Sequence, residues 1–224
     1  MTLTPQLVLS MWAAGMAAGG ALVGSWRVVG PGYLWLTGGV AGATAIVAGL
    51  AGGGVAAYAG ALAILLGAVL ARRSVPAVVS FGIGALALAL AAGADSPAIA
   101  VVTGSALLGA ITSEMMLGHW FLVDPRLPRW PLYTLDAVAF GALIADVLVI
   151  AISGSIVFTG ADGVFGLAYV MLTGFTGLLM VGVWFSLDEP RYSGVMAATG
   201  LSYLAVLTTF GAVTVGRFLV AGGS

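Results

Sequence analysis

Long apolar stretches fill nearly the whole chain, each interrupted by a few residues rich in glycine, proline or charge. A helix that crosses a bilayer needs about 20 mostly apolar residues. Eight stretches approach or exceed that length: 7–24, 33–52, 55–70, 76–92, 97–120, 131–154, 164–187 and 193–220. The third and fourth are the shortest. The boundary between the second and third rests on Gly52, Gly53 and Gly54, which read as a turn. One long helix at that place would change the number of crossings. The pattern predicts an all-α integral membrane protein, a single membrane domain over 1–224, with eight transmembrane helices.

Charge gives that count a second, independent support. Arg27 follows the first predicted helix, Arg72 and Arg73 the third, Arg126 and Arg129 the fifth, and Arg191 the seventh. The loops after helices two, four and six carry no arginine, only Asp95 and Asp162. Positive residues favour the cytoplasmic side of short loops. The alternation therefore predicts a bacterial cytoplasmic (inner) membrane protein with both termini outside. Trp26, Trp35, Trp120, Trp130, Trp184 and Tyr192 fall near the predicted inner ends, as an interfacial aromatic belt would. Arg217 breaks the alternation. It lies near the outer end of the last helix, where it is expected to snorkel to the headgroups. The first stretch has no positive n-region and no cleavage site, so it is expected to be a retained helix.

Composition removes several classes of function. Only 7% of residues are charged and mean hydropathy is +1.17, too apolar for a soluble domain of this size. A net charge of -1 offers no basic patch for nucleic acid. With no cysteine, disulfides, iron–sulfur ligation and thiolate zinc sites are out. One histidine cannot hold a haem between two imidazoles of this chain. No metal site and no covalently bound cofactor are expected. The 35 glycines suit helices that approach closely in lipid.

A faint repeat runs through the chain. The end of helix one, Gly24-Ser25-Trp26-Arg27-Val28-Val29-Gly30-Pro31, matches the end of helix five, Gly118-His119-Trp120-Phe121-Leu122-Val123-Asp124-Pro125, at Gly, Trp, Val and Pro. Two four-helix repeats, 1–94 and 95–224, are the implied organisation. Four crossings return the chain to its starting side, so the copies would be parallel.

Ionisable residues inside spanning helices are costly and mark functional candidates by default. Four stand out in helices five and six: Glu114, His119, Asp136 and Asp146. Five residues separate Glu114 from His119, which puts them on different faces. His119 is expected to meet Asp136 or Asp124 across the short connection. Asp146 lies about 15 Å deeper than Asp136, near the bilayer middle, without an arginine of helices one to seven at that depth. As an unpaired acid it would be protonated. The four residues could then form a proton relay or bind the hydroxyls of a quinol. Each has a plainer alternative. His119 beside Trp120 reads as a belt residue, and Asp124 and Asp136 as partners of their own loop's arginines. Glu114 and Asp146 read equally as inter-helix hydrogen bonds. Met115 and Met116 read as packing residues, and Asp188-Glu189-Pro190-Arg191 as a solvated loop.

The segment Gly118-His119-Trp120-Phe121-Leu122-Val123-Asp124-Pro125-Arg126-Leu127-Pro128 resembles one in uncharacterised bacterial polytopic membrane proteins with a Gly-His-Trp-aromatic-Leu-Val-x-Pro pattern. It covers under a tenth of the chain and implies no activity. The whole chain is similar more distantly to membrane anchor subunits of the polysulfide and DMSO reductase type. They also have eight helices in two four-helix bundles. Helix eight here, with its small residues and its closing Gly216-Arg217, is similar to theirs. No quinone-site motif of theirs transfers to particular residues. That resemblance implies a membrane subunit of a respiratory or redox system, with quinone as the diffusible cofactor and redox partner subunits holding the metals. The alternatives are a small proton-coupled transporter or channel, and a non-catalytic assembly or structural factor.

Overall fold

Each predicted apolar stretch is helical in the computed structural model, which describes residues 3–94, 96–156, 158–159 and 163–222. The helices are α1 (Pro5–Trp26), α2 (Pro31–Ala48), α3 (Gly54–Val69), α4 (Ser74–Gly93), α5 (Ala98–Val123), α6 (Trp130–Ile152), α7 (Gly163–Asp188) and α8 (Tyr192–Gly222). No strand occurs among the described residues. Asp95 and Asp162, expected in the arginine-free loops, lie outside them.

Local chemistry sets the helix ends. Thr4 caps α1 by accepting a hydrogen bond from the Leu7 N–H at 3.3 Å, and Pro5 follows as a first-turn residue that needs no donor. Arg27, at φ 57°, ends α1 in the left-handed conformation. Pro31 and Pro131 open α2 and α6 in the same way.

Seven helices among the described residues are long and apolar enough to cross a membrane when Pro31–Val69 is taken as one. That segment is not straight. A π-helical turn, Gly49–Gly53, ends α2, and Gly52 and Gly54 adopt φ of 113° and 61°. Such angles suit glycine alone. Beyond the turn, α3 lies back along α2: Gly38 faces Ala68, Gly42 faces Leu65 and Gly49 faces Tyr58. The two pieces are 18 and 16 residues long.

The helices pack in two rings. In the first, α1 packs on α2 and α4, and α3 closes the ring between them. In the second, α5 packs on α6 and α8, and α7 closes it. α1 and α5 join the rings and are the most buried helices. They run parallel. Gly15 meets Gly109 backbone to backbone, and Gly19 meets Ser113. Small residues spaced four apart let the two backbones touch, the usual device for helix contact in lipid. Near this crossing the Trp12 Nε1–H donates to Thr112 Oγ1 at 2.9 Å.

The arginine-bearing loops share one end of the molecule. Arg27, Arg72 and Ser74 line one surface hollow. Arg129 reaches from the α5–α6 loop to the α7–α8 loop, donating to the carbonyls of Leu187, Glu189, Pro190 and Arg191. Trp26 packs edge-on against Trp130, Tyr33 against Trp120 and Tyr133 against Trp184. The aromatic belt thus gathers at the arginine end.

Candidate functional site

Two separate groups of ionisable side chains sit inside the second ring. The first lies toward the arginine end. Glu114 of α5 and Asp136 of α6 are both 2% exposed. Asp136 stands about 9 Å along its helix from Trp130. Asp136 and Ser202 of α8 are near neighbours of Glu114 inside the ring. Ser202 itself donates to its own helix at the Ala198 carbonyl, 3.0 Å away. Asp136 Oδ1 is buried and has no hydrogen-bond partner. A buried acceptor in that state is expensive and suits a proton or a ligand donor.

Asp136 also lines a cleft of 460 Å³ between α6 and α7, with Ala137, Phe140, Met180, Trp184 and Phe185 among its walls. Phe140, Trp184 and Phe185 are 37%, 41% and 68% exposed, so the cleft opens sideways, toward where lipid would lie. α6 and α7 are the least closely packed neighbours of their ring. The arrangement is an apolar, aromatic slot with one carboxyl group, that of Asp136, in its wall.

The other group lies toward the opposite end, and it overturns two expectations. Asp146 is not an unpaired acid, and Arg217 does not snorkel. Arg217 is fully buried, its Nη2 stands 2.5 Å from Asp146 Oδ1, and it donates to the Ala100 carbonyl at 2.6 Å. The Thr103 hydroxyl donates to the same carboxylate oxygen at 2.6 Å. Helix lengths explain the error in depth. Asp146 is six residues from the end of α6 at Ile152, about 9 Å, so it lies in the outer half. α8 is 31 residues long, which carries Arg217 inside the bundle and level with it.

His119 meets neither Asp136 nor Asp124. It is exposed, with its Nδ1 3.4 Å from the Tyr203 hydroxyl of α8. Asp124 instead accepts from the Arg126 N–H within its own turn. Asp136 takes no part in neutralising the loop arginines. Along α5, α6 and α8, buried Leu107, Ile111, Leu143, Val206 and Val213 separate the two groups. The four predicted residues therefore form a carboxyl pair, a distant ion pair and a surface histidine, not one chain of proton sites.

Several contributors escaped the sequence reading. Ser202 looks like any small residue of a membrane helix. Arg217 was visible as a charge inside an apolar stretch, but its place near the helix end suggests snorkelling and not a buried partner. The α7–α8 loop is exposed, as expected, but tied to its neighbours: Arg129 spans its carbonyls, and the Tyr133 hydroxyl donates to Asp188 at 2.7 Å.

No family model matches the chain, and neither a characterised protein nor a solved structure matches it.

Proposed function

We propose that this protein is the membrane subunit of a bacterial respiratory or redox system, and that it binds a quinol from the bilayer at Asp136. The observation that carries the reading is Asp136, with its buried Oδ1 lacking a hydrogen-bond partner, in the wall of a lipid-facing aromatic cleft. A quinol has what this slot lacks: a flat ring for Phe140 and Trp184, an apolar tail that can remain in lipid, and a hydroxyl donor for Asp136. The carboxylate would take the hydroxyl proton as electrons leave to a redox centre on a partner subunit. Glu114, adjacent and equally buried, is the next proton acceptor. In this reading the ion pair of Asp146 and Arg217 is structural. α2 and α3 cross the membrane separately, giving eight crossings with both termini outside. Two four-helix groups are also the arrangement of the polysulfide and DMSO reductase-type anchors that the sequence resembles.

Trp184 supplies the test. Quinol analogues with a free ring hydroxyl, titrated into the protein in nanodiscs, should quench its fluorescence saturably, and Trp184→Phe should remove that component. Asp136→Asn should weaken the titration at least tenfold, because a neutral amide replaces the carboxylate as acceptor of the ring hydroxyl. Equal titration of wild type and Asp136→Asn, or no saturable quenching at all, would overturn the reading. Proton-driven solute flux by the purified protein in liposomes would favour a transporter instead.

A further inference from the structure

The carboxyl pair of the second ring has a counterpart in the first ring that contains no carboxyl. There the fully buried ring of Phe81, on α4, fills the centre of the bundle. The other three helices each present glycine to it. A β-carbon at Gly20 of α1 would stand 3.0 Å from the ring, one at Gly38 of α2 3.0 Å, and one at Gly67 of α3 2.6 Å. Any side chain at these positions would collide with the phenyl group.

Burial aligns the two rings position by position. In α1, residues 11, 15, 19, 20 and 23 are buried, and in α5 so are 105, 109, 113, 114 and 117. In α2 the positions are 37, 38, 41, 45 and 48, and in α6 135, 136, 139, 143 and 146. In α3 they are 60, 64 and 67, with 71 in the turn that follows, and in α7 176, 180, 183 and 187. In α4 they are 77, 80, 81, 84 and 88, and in α8 195, 198, 199, 202 and 206. The spacing within each pair of helices is identical. The α1–α5 crossing obeys the same register, since Gly15 meets Gly109 and Gly19 meets Ser113. On this alignment Gly20 corresponds to Glu114, Gly38 to Asp136, Gly67 to Val183 and Phe81 to Thr199.

The exchange is complementary. One large ring among three glycines in the first half becomes one small side chain among Glu, Asp and Val in the second. Gly20 and Gly38 flank the same ring, and Glu114 and Asp136 are near neighbours. Thr199 lies against Gly118, one turn from Glu114.

We propose that α1–α4 and α5–α8 are duplicate units, and that the first holds a closed copy of the site with Phe81 as its plug. The Phe81 ring fills the middle of the closed copy, with the Thr37 side chain beside it and no carboxyl. The fold therefore has no need of carboxyls at these positions, and in the open copy they serve a ligand. This last step rests on the quinol reading above, while the duplication and the plug do not. Each chain then carries a single binding site.

A core swap in the full-length protein tests the equivalence. Three variants are compared by thermal unfolding and by monodispersity in detergent. They are Thr199→Phe alone; the triple change Glu114→Gly, Asp136→Gly, Val183→Gly; and all four together. Thr199→Phe overpacks the bundle and the triple change leaves a cavity, so each should melt well below wild type or fail to accumulate. The fourfold variant rebuilds the Phe81 arrangement and should melt clearly above both. A fourfold variant that does not melt above the better of its two parents would overturn the proposal. Recovery of the fourfold variant without quinone binding by wild type would keep the plug and remove the quinol. Quinone binding without recovery would do the reverse.

Discussion

At Asp146 the carboxylate has Arg217 and Thr103 as partners, deep in protein and far from water. Two buried charges that neutralise each other tolerate joint removal far better than the loss of one. Asp146→Leu should therefore cost about 3–5 kcal/mol, because Arg217 would be left buried and uncompensated. The pair Asp146→Leu with Arg217→Leu should recover most of that loss. Chemical denaturation in a fixed detergent reads the difference, and an additive double variant would show that the two side chains do not depend on each other. The positions of the acids were legible in the sequence, since a charge in an apolar stretch stands out. Their partners were not. Pairing depends on how each helix is rotated and how far it extends, and about two residues of rotation turn a side chain to the opposite face. His119 shows the same limit: it was placed on a different face from Glu114, yet its neighbour Tyr203 comes from a helix 84 residues away.

Between helices, glycine decides how near two backbones come. A methyl group at Gly15 would run into the Ser105 carbonyl and the Gly109 backbone, neither of which can swing aside. Gly15→Ala and Gly109→Ala should each separate α1 from α5 and lower the melting temperature. Gly39→Ala, where nothing lies within 4 Å, should leave it unchanged or raise it, since alanine favours helix. Equal effects at all three sites would mean that the α1–α5 contact contributes nothing special. At the α2–α3 turn, Gly52→Ala meets open space but a φ of 113°, and should cost about 1 kcal/mol through backbone strain alone. The helices themselves were well marked in the sequence. Their ends coincide with proline, glycine and arginine within a few residues of the expected positions. The small-residue crossing was not, because 35 glycines offer many equivalent stripes and only packing selects one.

Across the whole molecule, the four arginine-bearing loops converge on one end, the aromatic belt surrounds them, and the α2–α3 turn lies with the opposite ends of the other helices. This architecture makes the number of crossings testable by side. With no cysteine in the sequence, single cysteines report their location without background. Ser25→Cys in the first arginine loop and Ser74→Cys in the second should react with a membrane-impermeant maleimide only in inverted vesicles, since positive loops face the cytoplasm. Ala51→Cys at the turn, where the side chain is exposed, should react only in intact cells with a permeable outer layer, as should Thr4→Cys. That pattern requires α2 and α3 to cross separately. If Pro31–Val69 crossed once as a continuous helix, Ser25 and Ser74 would label from opposite sides and the two rings could not share an arginine end. If all four sites reversed together, the eight crossings would stand and the orientation drawn from the arginines would fall. Quinol would then still reach Asp136 sideways from the lipid. The carboxyl pair, however, would exchange protons with the outer face and not with the cytoplasm.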